Sequence, residues 1–204
     1  MIRKLLAVAG YATLAAGLVG VARQRAEAQA IRRGELSPAS AASDVPPRAR
    51  YGPVARWLAT YVPDLPSSTL GRLAGAVWAG PLTAIGLALA LASGRLPRWS
   101  ATHRCYVTIA ERGPSAIALR AVGAQANTIG QIVVCVRPDP PDVLLAHEAV
   151  HVRQMERFGP LTFPLYLWLG ARYGYRDHPL ERAARLGAQR SRTAPPLDGR
   201  PTSR

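Results

Sequence analysis

PPDVLLAHEAVHVRQMERFGP, residues 140–160, sets two histidines four positions apart around a glutamate, in a chain that has only 4 histidines. Pro140 and Pro141 suit a first helical turn, Asp142 favours the positive end of a helix, and Gly159-Pro160 stops one. The segment therefore predicts a helix of about five turns. On it, residues i and i+4 share a face, so His147 and His151 can direct imidazole nitrogens at one point. Two imidazoles so placed can hold Zn²⁺ at about 2.0–2.1 Å. Zinc lowers the pKa of its water to about 7 and polarises a scissile carbonyl, while Glu148 accepts the proton and delivers it to the leaving amine. The bland alternative is a chance pattern on an ordinary helix. The capping signals and a preceding strand supply the context that the chemistry needs.

Catalytic zinc commonly takes three protein ligands plus water. Downstream, RDHPLERAARLGAQR (176–190) opens with an Asp cap and a proline in its first turn, so it predicts another helix, with His178 and Glu181 at its start. Both are candidate third ligands. H-E-x-x-H followed by a separate helix carrying E-x-x-A, here Glu181-Arg182-Ala183-Ala184, resembles the gluzincin metallopeptidases. More closely, HEAVHVRQMERFGPLTFP followed by YRDHPLERAA is similar to a group of small bacterial proteins, often membrane-tethered, that carry HExxHVRQ and YRD(N/H)PxE. The resemblance covers about residues 105–188 and is specific over 147–184.

It implies that His147, His151 and Glu181 bind zinc, that His178 is a neighbour, that Glu148 is the general base and acid, and that the substrate is a peptide or protein. One departure matters. Many membrane gluzincins carry an aspartate one place after the alanine of E-x-x-A, where it orients a ligand histidine, and this chain has Arg185 there. Losing such a carboxylate weakens metal affinity or activity about 10–100-fold. Asp177 is the candidate substitute, and a catalytically weak or inactive binding or scaffold protein is the alternative function.

Upstream of the motif the chain reads as α+β, with N-terminal membrane helices ahead of a small zincin-like domain at 101–190. YVTIA, AIALRAV and QIVVCVR are three strand-like runs separated by glycine, proline and asparagine, and predict a short antiparallel sheet. NTIGQIVVC is the candidate edge for an extended peptide, as in strand addition. Cys105 and Cys135 fall in two of these runs. No CxxC occurs, which excludes a thiolate zinc site, and the pair reads as two buried small hydrophobes, with a disulfide as the alternative.

Residues 5–22, LLAVAGYATLAAGLVGVA, hold no charge and are long enough for a membrane helix. Residues 1–30 thus read as a retained anchor, with a cleaved signal segment as the rival. Residues 31–72 read as a linker with an amphipathic stretch, VARWLATYVPDL, whose Val54, Trp57, Leu58, Tyr61 and Val62 share a helical face. Residues 73–93 are again uncharged and predict a transmembrane helix. Arginine and lysine near the membrane ends balance, with Arg23, Arg25, Arg32, Arg33 and Arg72 against Arg3, Lys4, Arg95, Arg98 and Arg104, so neither orientation is favoured. The tail, 191–204, has little to bury and reads as disordered.

The net charge is +14, carried almost wholly by arginine. Those arginines run along the whole chain without aromatic interleaving, which argues against a nucleic-acid partner and leaves attraction to membrane lipids. Arg153 and Gln154 read as a solvated helix face, Tyr175 as a packing aromatic or an oxyanion donor, and Phe163–Trp168 as core or a membrane-dipping surface.

Overall fold

The first element of this computed structural model, which describes residues 2–36, 47 and 50–193, is a long helix, α1 (Ile2–Arg32). Residues 37–46, 48 and 49 of the expected linker and 194–204 of the expected tail lie outside the described residues. Three helices follow, α2 (Pro53–Thr60), α3 (Thr69–Trp78) and α4 (Gly80–Ala92), and then the strands β1 (Arg98–Ser100) and β2 (Cys105–Ile109). Helix α5 (Gly113–Val122) precedes β3 (Ala126–Ile129) and β4 (Ile132–Cys135). The described residues close with α6 (Asp142–Phe158), α7 (Thr162–Tyr173) and α8 (Pro179–Thr193). It is a mixed α+β structure.

The expected antiparallel sheet of three strands is not what forms. The order is β1-β2-β4-β3, with β2 and β4 parallel and the two outer pairings antiparallel. The reason is AIALRAV, which lies in α5 rather than in a strand. Pro114 starts that helix and Gly123, at φ 71, ends it in a left-handed cap. Alanine, leucine and arginine favour helix, and Ser115, Ala116 and Leu119 make a buried helical face while Ile117 is exposed. With a helix between β2 and the β3–β4 hairpin, the chain has the crossover that parallel pairing needs. β3 comes from a stretch whose Gly and Asn read as turn signals.

Strand β4 is buried on both faces. Ile132 and Val134 pack with Ala90 of α4 and Ala116 and Leu119 of α5, whereas Val133 and Cys135 pack with Cys105 and with Val152 of α6. A strand covered on both faces reads as a continuous apolar run, which IVVC is. Cys105 and Cys135 are free buried thiols, and burial, the first cause in each case, pushes them up to about 11 and about 12.

The uncharged run at 73–93 does not form one straight helix. It is divided between α3 and α4, bent by 65°. Pro81 cannot donate an N–H back toward Val77, so the helix restarts at Gly80, with Thr83 bonding Ala79 O at 2.9 Å. Leu82, Gly86 and Ala90 then form the buried stripe of α4, and a Cβ on Gly86 would run into Ile129 O. Its other face exposes Ile85, Leu87 and Leu91. Gly130, at φ 64, turns the β3–β4 hairpin where a side chain would strike the Thr83 backbone. Among the described residues no single helix is long and apolar enough to cross a membrane, although the bent pair passes that test jointly.

Helix α1 lies against α7, with Gly17 facing Leu167 and Gly20 facing Gly170 and Ala171. Farther along, Glu27 accepts the N–H groups of Tyr175 and Arg176 at 3.0 and 2.9 Å. In α2, Leu58 is buried as its apolar face implies, but Val54 and Trp57 are exposed.

Candidate metal centre

Helices α6 and α8 build the centre. Gly187 of α8 sits so close to Val150 of α6 that a Cβ would overlap it, and this approach brings the first turn of α8 to the middle of α6. Glu181, in that turn, is buried among the imidazoles. His147 Nε2 and His151 Nε2 are 3.2 Å apart. His147 Nε2 lies 3.2 Å from Glu181 Oε2, and His151 Nε2 lies 3.2 Å from Glu181 Oε1. One ligand atom from each residue falls within 4.8 Å of the others, so the group could hold a metal ion.

The spacing itself is a fit test. Tetrahedral ligands at about 2.05 Å from zinc would stand about 3.3 Å from one another. Facing lone pairs at such distances repel unless a proton or a cation lies between them. Without a metal, the proton does so. Burial opposes charge on His151, but the Glu181 carboxylate overcomes that and raises it to about 9. Burial likewise acts to raise Glu181, yet His151 and His147 hold it well below the usual carboxylate range.

The partners behind these ligands fix their direction. Gln154 Nε2 donates to Leu180 O at 3.3 Å, and a carbonyl only accepts, so Gln154 Oε1 is the atom facing His151 Nδ1 at 2.9 Å. His151 must then carry a proton on Nδ1, and in its neutral form it turns the Nε2 lone pair to the centre. Tyr166 of α7 donates its hydroxyl to Glu181 Oε1 at 2.6 Å. Glu181, and then burial, raises the Tyr175 hydroxyl well above its ordinary value, which places that phenol in the electrostatic reach of the same carboxylate.

Glu148 projects to the side. Its Oε2 accepts the Thr128 hydroxyl of β3 at 2.6 Å, and both residues are buried. β3 is an outer strand of the sheet, so NTIGQIVVC is divided between an outer strand, which carries Thr128, and the interior strand β4.

No family model, curated protein or solved structure matches this chain. The geometry therefore speaks for itself.

Of the expected site residues, His147, His151 and Glu181 converge, and Glu148 lies alongside with Thr128 as partner. His178 stays apart from the ligand group: its Nε2 bonds Tyr166 O at 3.0 Å, its ring lies 4.2 Å from that of Tyr166, and burial lowers it to about 4. Arg185 Nη1 approaches Glu181 Oε2 at 4.0 Å while Nη2 donates to Arg176 O at 2.6 Å. The reading of Gln154 as solvated is overturned, because it is fully buried and bonds His151. A signal was present: Gln154 lies three residues after His151 and seven after His147, on the same helical stripe. Arg153 is half-buried rather than solvated. Tyr166 and Thr128 lay in stretches that read as ordinary core and strand, and nothing local distinguished them.

Proposed function

We propose that this protein is a membrane-associated zinc metallopeptidase of gluzincin type, hydrolysing peptide bonds. The observation that carries the reading is the convergence of two imidazole Nε2 atoms and one carboxylate, with mutual spacings of 3.2 Å, beside a buried glutamate. His147, His151 and Glu181 would hold the ion, and two imidazoles with a carboxylate are a donor set that zinc accepts. Bound there, zinc would supply Lewis acidity for acidifying water and polarising a carbonyl.

The chain's own groups do the rest. Glu148 is the proton carrier, taking a proton from water and returning it to the leaving amine. The Thr128 hydroxyl occupies Glu148 Oε2 and so fixes the carboxylate plane. Gln154 and Tyr166 hold two of the ligands in position. The outer strand β3, beside Glu148, is the surface offered to an extended peptide. Membrane association is supported by apolar side chains exposed on α1, α4 and α7, among them Tyr11, Leu18, Ile85, Phe163 and Trp168.

A second reading is favoured by one contact. Arg185 stands beside Glu181 where an orienting aspartate is expected, and its cation competes for the carboxylate that zinc needs. On that reading the protein binds metal but turns over little, and acts as a membrane-bound binding or scaffold protein. Zinc content and hydrolysis of a peptide mixture decide between them. About one zinc per chain with turnover lost in Glu148→Gln and zinc retained supports the peptidase. Zinc without turnover supports the binding protein, and absence of zinc sinks both.

A further inference from the structure

Helix α6 has a second polar face. At about 100° per residue, His147, His151 and Gln154 share one side, and Ala149, Val152, Arg153 and Glu156 fall on the opposite one. Those four line a cavity of about 220 Å³ that is also walled by Arg72, Trp99 and Arg104. Three arginines thus border one space. The lining carboxylate, Glu156, already accepts Gln131 Nε2 at 2.7 Å.

One detail indicates a missing acceptor. Arg153 Nε is buried and makes no hydrogen bond, an unmet donor of the kind that folded proteins seldom leave. Arg104 borders the same space, and among the described residues no ion pair holds its side chain. His103 also borders the cavity, but its Nε2 is engaged by Asp142 Oδ1 at 2.9 Å. Arg72 Nη2 donates to Thr69 Oγ1 at 3.0 Å and its Nη1 to Pro66 O and Ser67 O at 3.4 Å, and Arg153 lies in the field of Glu156 and Asp64, so the donors left over are those of Arg104 and the Nε of Arg153. Around the mouth the surface is apolar: Leu65, Leu73 and Trp99 are lining residues that are exposed, and Trp99 packs on Tyr106 with centroids 5.0 Å apart.

We propose that this cavity binds a phosphate group through Arg104 and Arg153, whether presented by an anionic phospholipid headgroup or as free inorganic phosphate. Guanidinium forks match phosphate oxygens, and basic pockets with apolar rims suit lipid headgroups. The proposal is independent of the metal centre.

The test uses the full chain in two arms: calorimetric titration with inorganic phosphate, and co-sedimentation with vesicles of phosphatidylcholine alone or mixed equally with phosphatidylglycerol. Arg104→Gln and Arg153→Gln should each weaken binding about tenfold in at least one arm, while Arg190→Gln, at an exposed position of α8, leaves it unchanged. Saturable phosphate binding that competes with vesicles identifies free phosphate as a ligand. Selective vesicle binding without it identifies the headgroup. Arg104 is exposed, so its variant keeps the fold, and unchanged metal content in both variants separates this site from the other face of α6. Equal binding by all variants, equal loss in Arg190→Gln, or no binding in either arm overturns the proposal.

Discussion

Helices α6 and α4 both derive from sequence stretches with an evident local reading, and they differ in how far that reading carries. In α6 the informative residues are polar, and burial makes them demanding: His151, Gln154 and Glu148 each have a named partner on another turn or element. In α4 they are apolar and undemanding. Leu82, Gly86 and Ala90 are buried, the last two against the sheet, while Ile85, Leu87 and Leu91 face outward, and the same composition would serve a membrane, a core or both. A buried polar group requires specific partners, whereas a buried methyl group accepts any close-packed neighbour.

The contrast can be broken at its strongest point first. Glu181→Ala should remove metal binding, lowering zinc from about one per chain to none, as measured by elemental analysis after dialysis. Retention of stoichiometric zinc would place the third ligand elsewhere.

Proton linkage gives the next effect. His151 is raised from 6.5 to about 9 by Glu181, so in the metal-free protein its contribution to stability is complete below about 6.5 and lost as the pH rises through about 9. Glu181 is lowered, so its contribution is present above 4.5, the ordinary value, and lost as the pH falls through its folded-state pKa. Metal must displace the His151 proton. Chelator competition should therefore show zinc affinity rising about tenfold per pH unit between about 6.5 and 9, with about one proton released. A flat profile would mean that no shared proton holds the ligands together.

Removing a partner should cost less than removing a ligand. Tyr166→Phe and Gln154→Leu are each expected to weaken zinc about 10–100-fold in the same competition assay. In the other region, Gly130→Ala forces a side chain into Thr83 at a positive φ and should lower stability by about 1–3 kcal/mol in chemical denaturation. The smallest effect belongs to the exposed face of α4: Ile85→Ser should alter solution stability by no more than about 0.5 kcal/mol while reducing sedimentation with phosphatidylcholine vesicles. A large loss of stability there would show that this face is packed rather than displayed.

The candidate ligand set was legible because its logic is local. The i, i+4 spacing places both imidazoles on one face whatever surrounds them, and Asp142 in the first turn and Gly159 at the C-cap mark the ends of the helix without tertiary help. Glu181 was one of two candidates on residue type, and the resemblance favoured it over His178. Residues 116–122, expected as a strand between turn signals, form a helix because Pro114 and Gly123 bound a run rich in alanine and leucine, and the uncharged run at 73–93 is divided between two helices where Pro81 restarts the helix.

By itself, then, the sequence determined which side chains can bind a metal and that two of them share a helical turn, because backbone periodicity is a short-range property. Only the tertiary structure decided that α8 delivers Glu181 within 3.2 Å of both imidazoles, that Tyr166, Gln154 and Thr128 stand behind the site, and that β2 and β4 run parallel. Those outcomes depend on how close two helices can approach at Gly187 and on which segment crosses between strands, and both are set by packing between residues far apart in the chain.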